Sequence, residues 1–218
     1  RWRLADSLRE VEEVRLVEAQ LQEQAAKAEL AALQARINPH FFFNTLNTIS
    51  ALLAEDPAKA DEVVQTLADL FRYTFKATHA GDVPLDEELE FVDGYLTVEK
   101  ARFGDRLRVD WAIDAEARGA RIPGLLLQPL VENAVGHGIA PVPGGGTVRI
   151  GARLHGGRLV VEVEDDGAGL RRPAASLIHE DHGLGNVKRR IATATRGRGT
   201  LELAPSPRGR GTLARITL

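Results

Sequence analysis

The chain has 218 residues, of which 44% are hydrophobic, and its 28 Lys and Arg against 31 Asp and Glu give a net charge of −3. This size and composition fit one large or two small globular domains, and the charge gives no indication of nucleic-acid binding by bulk electrostatics. The absence of cysteine excludes disulfides, thiol catalysis and cysteine zinc sites, and fits a reducing compartment.

The sequence contains no recognisable targeting or membrane segment. No apolar run reaches the roughly 18 residues of a membrane span, and no signal peptide is visible. The chain begins Arg1-Trp2-Arg3 and lacks methionine. We therefore expect an upstream part, a sensor or a membrane region, to be missing, and this chain to be the cytoplasmic portion of a protein that could be membrane-anchored.

Residues 1–36 have the pattern of a long helix. From residue 4 the segment is rich in Ala, Leu, Glu, Gln and Arg and contains no Gly or Pro. Two sets of residues recur at seven-residue spacing, as in the seam of a coiled coil. They are Val14, Leu21, Ala28 and Ala35, and Val11, Glu18, Ala25 and Ala32. We predict a signalling helix in a parallel coiled coil; a single solvent-exposed helix is the alternative.

A Pro-His pair, Pro39-His40, interrupts this helical run. A proline in a helix interior costs roughly 3 kcal/mol, so the break needs a compensating reason. Histidine titrates near neutral pH, which makes a neutral imidazole available as a nucleophile at this point. Helix geometry places Asn44 and Asn47 on the same face as His40. A purely structural histidine is the simpler alternative, and the second half of the chain weighs against it.

Residues 37–80 are predicted to form a helical hairpin. The first helix should end at Asp56-Pro57, and a second should run from about Ala58 to Thr78. A connection this short indicates an antiparallel pair. Two apolar stripes are left to pack, namely Phe42, Leu46, Ile49 and Leu53, and Val63, Leu67, Leu70, Phe71 and Thr74. Because two helices cannot cover these faces alone, we expect a homodimer whose hairpins form a four-helix bundle.

Beyond the boundary at Gly81–Pro84, residues 81–218 show a mixed pattern. Helices are predicted from Leu85, over 128–138 and over 186–194, and strands over 107–113, 147–154, 159–164, 200–204 and 212–217. Gly156-Gly157 is a typical hairpin turn between two of the strands. Helices laid on one face of a largely antiparallel sheet would make an α+β sandwich.

Three segments of this region carry the chemistry of a nucleotide site, although the sequence has no Walker-type loop. Residues 128–138 bring Glu132, Asn133 and His137 onto one helix, and an amide oxygen such as that of Asn133 suits Mg²⁺. Glu132 could orient a metal-bound water or a reacting group. Each segment alone is common in ordinary turns and helices, but their order within one domain indicates a site.

The second segment follows a strand and combines a carboxylate with glycines. Asp165 could accept a hydrogen bond from an exocyclic amine, while Gly167 and Gly169 let the backbone approach a flat base. In the third segment Gly183 and Gly185 open a helix whose free N–H groups could face phosphate. Between these two segments, residues 171–181 are predicted to form a mobile lid.

These motifs resemble a known family, the LytS-type sensor histidine kinases with an Asn-Pro-His-Phe phosphoacceptor. The resemblance covers about residues 33–218. Its pieces are Gln34–Phe41 with Phe43–Asn47, Val83–Leu85 with Glu88-Leu89 and Tyr95-Leu96, Arg102–Leu107, the N-box Leu127–Ala134, and the G1 box Asp165-x-Gly167-x-Gly169. It implies a C-terminal α/β sandwich of the GHKL (Bergerat) type, shared with gyrase, Hsp90 and MutL.

The resemblance also implies the site and its partners. ATP would bind under a lid, with Mg²⁺ held through Asn133 and adenine read by Asp165, and the phosphoryl group would pass to His40 and then to an aspartate in the receiver domain of a response regulator. Asn44 would orient the His40 ring. Phe41 stands where many histidine kinases place an acidic base, so the base is left unassigned. Gly136 replaces a lysine usual in the family, and the Gly183-Leu184-Gly185-Asn186 turn is shortened.

Two other functions fit parts of the sequence. A gyrase-type ATPase would use Glu132 as a base for water but needs no histidine at position 40. A dimeric scaffold that binds nucleotide without catalysis would explain Gly136 and the shortened glycine turn. The His40 hairpin favours the kinase.

Overall fold

The structure is a computed structural model that describes residues 39–170, 173–178 and 183–218. The predicted coiled coil over 1–36 lies outside the described residues. Two compact units divide the chain, residues 1–47 and residues 48–218. The predicted domain limits at 37–80 and 81–218 remain a prediction.

Helix α1 is described over Pro39–Glu55 and carries His40 and Asn44. Phe41 and Thr45 are its buried residues, and the Thr45 hydroxyl donates to the Phe41 carbonyl at 2.8 Å. Leu46 and Leu53, which belong to the predicted apolar stripe, are 42% and 61% exposed. Phe42 and Ile49, the other two residues of this stripe, are half-buried.

Helix α2, Pro57–Ala80, follows α1 after Asp56 and begins one residue before the predicted start at Ala58. Asp56 caps it by accepting a hydrogen bond from the Lys59 N–H at 3.1 Å, and Pro57 occupies the first turn, where a proline is tolerated. The predicted inner residues Val63, Leu67, Leu70 and Thr74 are buried, and Phe71 is half-buried.

The buried stripe of α2 packs on helix α3, Leu85–Phe103. Gly94 allows the two helices to come close, because a Cβ built there would lie 3.3 Å from Leu70 Cδ2. The sequence predicted that a bundle of hairpins would cover this stripe. Within residues 48–218 the structure covers it with α3, which a pattern of apolar residues cannot specify.

Two three-residue strands form a small antiparallel sheet near the start of α3. They are β1, Asp82–Pro84, and β3, Arg121–Pro123, with Val83 opposite Ile122. Neither strand could be predicted from the sequence, because three residues are too few to show a period of two. Their pairing holds the start of α3 next to β3, the strand that precedes the predicted nucleotide site in the sequence.

The main sheet has five strands in the order β2-β4-β5-β7-β6. The strands are β2, Leu107–Ile113; β4, Gly146–His155; β5, Arg158–Asp165; β6, Thr200–Pro205; and β7, Thr212–Thr217. Neighbours are antiparallel except β2 and β4, which are parallel. Gly156 and Gly157 form the predicted turn between β4 and β5 with φ of 57° and 75°, which glycine adopts without strain.

One face of the sheet is apolar and covered by helices. These are α3, helix α4 at Gln128–Asn133 with a π-helical turn at Ala134–Ile139, and helix α6 at Gly183–Ala194, with the short helix α5 at Ala174–Leu177 beside β6. Ile150, Val161 and Ile216 are almost fully buried beneath them. Charged pairs such as Arg149–Glu164 and Arg153–Glu162 occupy the other face. The predicted α+β sandwich is confirmed.

Among the described residues, no helix combines the length and the hydropathy needed to cross a membrane.

Candidate functional site

A cleft of about 420 Å³ opens between the α4 segment, the end of β5 and the start of α6. Six of the residues predicted from the sequence line it, namely Glu132, Asn133, His137, Asp165, Gly169 and Gly183. Gly167 and Gly185 do not line it and are buried. Residues from all three predicted segments therefore meet at one cleft within residues 48–218.

The N-box residues reach the cleft from a helix that changes its winding. Asn133 is the last residue of α4, and the following turn is π-helical, with the Ala140 N–H donating to the Val135 carbonyl at 2.8 Å. Such wide turns are uncommon and occur often at functional sites. Glu132 is held one turn after Gln128, whose Nε2 donates to its Oε1 at 2.7 Å. The side chain of Glu132 is thus oriented before any ligand binds.

Asp165 is the last residue of β5 and only 3% exposed. Burial raises its pKa to about 6, although backbone N–H groups of Gly167 and Thr212 hydrogen-bond to the carboxylate and oppose the rise. The bond from the Gly167 N–H to Oδ1 is 2.9 Å long. A buried, fixed carboxylate on an otherwise apolar cleft wall can distinguish a ligand that offers an N–H donor.

Glycines bring three backbone segments together around Asp165. A Cβ built at Gly138 would lie 2.5 Å from Asp165 Oδ1, and one at Gly167 would lie 2.1 Å from the Gly138 carbonyl oxygen. A Cβ at Gly211 would lie 1.8 Å from the Asp165 carbonyl oxygen. No side chain fits at these contacts, so the π-helical turn and the end of β5 pack backbone against backbone.

Helix α6 is described from Gly183, so it includes the third segment and reaches three residues before the predicted start at Asn186. Gly183 lies at the cleft, and a Cβ there would lie 3.3 Å from Pro129 Cβ. Leu184 contributes apolar surface, while Asn186 accepts a hydrogen bond from Arg189. A contact of these glycines with phosphate stays a prediction.

The predicted lid is described only over residues 173–178. This part contains helix α5, and Leu177 lines the cleft. The rest of the predicted lid lies outside the described residues.

His40 and Asn44 belong to the other unit, on α1. His40 is exposed, and Asn44 Nδ2 lies 3.2 Å from its Nδ1 and 3.1 Å from its Nε2. The amide can therefore donate to whichever ring nitrogen is unprotonated, which fits the predicted orienting role. The position of Pro39 inside a longer helix lies outside the described residues.

The metal-coordinating side chains of the cleft are too few to hold an ion alone, but they could hold one together with the phosphates of a bound nucleotide. In the part of the chain that the structure describes, no group of three or more His, Asp or Glu could hold an ion. Mg²⁺ in nucleotide sites is commonly held by one or two side chains and by substrate phosphates. The Asn133 amide and the Glu132 carboxylate, both on the cleft, fit that arrangement.

Sequence reasoning missed the apolar half of the cleft. Leu177, Leu184, Leu203 and Ala214 line it opposite the N-box. Two of them lie on β6 and β7, which the sequence predicted as strands, but only the sheet order places β7 beside β5 and β6 beyond it.

Comparisons with known proteins agree with this architecture. The family model described as "Histidine kinase" matches residues 28–107, and that of the "Histidine kinase-, DNA gyrase B-, and HSP90-like ATPase" matches residues 120–218. Among solved structures, the histidine kinase domain of a blue-light activated histidine kinase from Erythrobacter litoralis has a TM-score of 0.50 at 21% identity, covering 87% of this chain and 89% of that one. This likeness concerns the fold.

Curated relatives are closer in sequence. Sensor histidine kinase YpdA of Escherichia coli is 41% identical over 178 residues, 79% of this chain and 31% of the relative. Sensor protein LytS of Staphylococcus saprophyticus is 36% identical over 200 residues, 86% of this chain and 34% of the relative. The chain belongs to the LytS-type sensor histidine kinase family, with a GHKL-type ATPase domain at its C-terminal end. It spans about a third of the length of these relatives.

Proposed function

We propose that this chain is the kinase core of a two-component sensor, which uses ATP to phosphorylate His40 and then passes the phosphoryl group to an aspartate of a response regulator. The observation that carries the proposal is the cleft, where the buried Asp165 and the N-box residues Glu132 and Asn133 converge. The family supplies the exposed histidine on α1 with its Asn44 partner.

The residues of the cleft divide the work of binding. Asp165 accepts a hydrogen bond from the exocyclic amine of adenine, and the apolar wall with Leu184 and Ala214 receives the base. Asn133 would hold Mg²⁺, which would neutralise charge on the phosphates. Glu132, fixed by Gln128, orients the reacting group.

Transfer to His40 needs positioning more than covalent chemistry by the protein. The unprotonated ring nitrogen attacks the γ-phosphorus, a nitrogen–phosphorus bond forms, and the bond to the β,γ-bridging oxygen breaks to release ADP. An imidazole can attack without losing a proton first, because the attacking nitrogen carries a lone pair. Asn44 keeps the ring in place during the step.

We further propose a homodimer. Large apolar side chains are exposed on α1 and on α2, and exposed apolar surface on a helix is typical of a protein interface. They are Phe43, Leu46, Leu53, Val64 and Phe75. Association of these helices between two copies would cover them, and the response regulator would dock on the resulting bundle.

The test is incubation with γ-labelled ATP and Mg²⁺, followed by acid and alkali treatment of the protein. We expect acid-labile, alkali-stable label that is lost in His40→Ala. His155→Ala is the matched control, since His155 is an exposed histidine far along the chain in β4. Release of free phosphate without label on the protein would instead indicate an ATPase, and nucleotide binding with neither product a scaffold.

A further inference from the structure

Glu88 of α3 is a fully buried carboxylate, with 0% of its surface exposed. Four donors reach it from two directions. Oε2 accepts from the Leu126 and Leu127 N–H groups at 2.8 and 3.1 Å, and Oε1 accepts from the Leu125 N–H and from the Tyr73 hydroxyl, the latter at 2.7 Å. A buried charge is retained at such a place only when its hydrogen bonds are satisfied.

The three N–H groups belong to the segment that starts the N-box helix. Leu125 has a φ of 56°, a left-handed conformation that is uncommon for a residue with a side chain and costs free energy. This turn aims three successive N–H groups at one carboxylate. The Leu127 carbonyl then accepts from the N–H groups of Leu130 and Val131, at 3.0 and 3.1 Å, and opens α4. Glu88 therefore holds the three residues that directly precede the helix that carries Glu132 and Asn133.

The fourth donor comes from α2. Burial and the nearby Glu88 carboxylate raise the pKa of the Tyr73 phenol, so its hydroxyl stays protonated as a donor. Its ring lies 5.1 Å from that of Phe91, and the neighbouring pair Lys76–Glu87, at 2.8 Å, also joins α2 to α3. Only Asp56 separates α2 from α1, the helix that carries His40.

The same segment also touches the helix at the far side of the cleft. Arg190 of α6 donates to the Leu125 carbonyl at 3.3 Å. Residues 125–127 are thus held by α3 and α6 directly, and by α2 through Tyr73. A shift of α2 relative to α3 changes the geometry at the carboxylate that starts α4.

We propose that Glu88 is a positioning residue that couples the placement of helix α2, through Tyr73, to the N-box helix of the nucleotide cleft. The inference rests on the proposed kinase function for its readout of phosphorylation. Its structural part, the control of residues 125–133 by Glu88, can be measured separately.

The hydrogen bond from Tyr73 and the bonds from residues 125–127 to Glu88 can be removed by separate substitutions. Tyr73→Phe removes one donor and leaves the three N–H bonds that start α4. Glu88→Gln keeps the shape but turns one acceptor into an NH₂ donor that faces backbone N–H groups, so that the start of α4 loses a partner. Thr66→Val is the matched control, because it removes a hydroxyl of the same helix α2 that donates to the Glu62 carbonyl and does not touch Glu88.

The experiment uses the full chain and measures ADP affinity by calorimetry, hydrogen exchange of the peptide 125–133, and the rate at which γ-labelled ATP phosphorylates the protein. We expect Glu88→Gln to weaken ADP binding about tenfold and to speed exchange in this peptide. Tyr73→Phe should leave ADP affinity within about twofold but slow labelling roughly three- to thirtyfold, the size of a mutational change in coupling. Thr66→Val should match the parent chain throughout.

Parent-like ADP affinity and exchange in Glu88→Gln would overturn the proposal, and so would equal slowing of labelling in Thr66→Val and Tyr73→Phe. If the parent chain bound ADP but were never labelled, the kinase function would fail and, with it, the coupling to phosphorylation. The ADP and exchange measurements on Glu88→Gln would still decide whether this carboxylate positions the N-box helix.

Discussion

Gly138 and Gly136 lie two residues apart in the π-helical turn, yet the structure predicts opposite effects for alanine at each. A Cβ at Gly136 meets no heavy atom within 4 Å in the described part of the chain, and one at Gly138 would lie 2.5 Å from Asp165 Oδ1 and 2.6 Å from its Cγ. Ordinary contact begins near 3.4 Å, so the carboxylate must retreat by about 0.9 Å. That movement strains the bond from the Gly167 N–H.

The magnitudes follow from these distances. Gly136→Ala should stabilise the chain by roughly 0.5–1 kcal/mol, because alanine loses less backbone entropy in a helix. Gly138→Ala gains the same entropy but overpacks a rigid site, which costs roughly 1–3 kcal/mol. For a chain of this size, 1 kcal/mol corresponds to about 2–4 °C in Tm. We expect Gly136→Ala to melt a few degrees above the parent and Gly138→Ala to melt at or below the parent.

The assay combines thermal unfolding with a titration of ADP. Displacement of the Asp165 carboxylate should weaken ADP binding about tenfold in Gly138→Ala, as expected when a hydrogen bond to a charged group is lost, and leave it unchanged in Gly136→Ala. Equal Tm and equal affinity in the two variants would refute the close approach between the π-helical turn and the end of β5.

Three further predictions concern the same region. Because burial raises the pKa of Asp165 to about 6, ADP affinity should fall as pH is lowered from 7 to 5, and the fall should be absent in Asp165→Asn titrated in parallel. Burial also raises the pKa of Glu99 from 4.5 to about 7, which Arg102 opposes and Glu132 assists. Between pH 4.5 and about 7 the folded chain therefore keeps a proton on Glu99 that the unfolded chain has lost, so the free energy of unfolding falls as pH rises through this window. In Glu99→Gln, the free energy of unfolding measured with urea should depend less on pH. Finally, Asn133→Ala should abolish Mg²⁺-dependent labelling while the chain elutes as the same oligomer in gel filtration, and surviving label would remove Asn133 from the metal role.

The parts of the fold that the sequence predicted are those with a local pattern. β4 alternates buried and half-buried residues along most of its length, and the Gly156-Gly157 turn has the φ values that only glycine favours, so this hairpin could be predicted from adjacent residues. The same holds for α2, whose cap at Asp56 and first-turn proline mark its start. Candidate site residues were found because they lie in short motifs.

The remainder depends on contacts between distant residues. Glu88 stood in a motif that the resemblance quoted, but its partners lie 15 and 37–39 residues away in the sequence. No periodic pattern of residues in the sequence predicts the π-helical turn or the packing of α2 on α3. In the sequence Glu99 looks like a solvent-facing helix charge paired with Arg102 three residues on, and only the fold shows that it is 3% exposed.

The parallel pairing of β2 with β4 has a consequence for how the chain folds. Parallel neighbours require a long crossover, and here that connection is residues 114–145, which include α4 and the π-helical turn. Leu107 cannot pair with Gly146 until the intervening chain has closed into a loop, which makes this step costly in entropy and slow. The segment that carries Glu132 and Asn133 is therefore part of the connection that the sheet needs in order to pair β2 with β4. We expect docking of the edge strand β2 and folding of the N-box helix to be coupled, because this helix lies in the loop that the β2–β4 pairing closes.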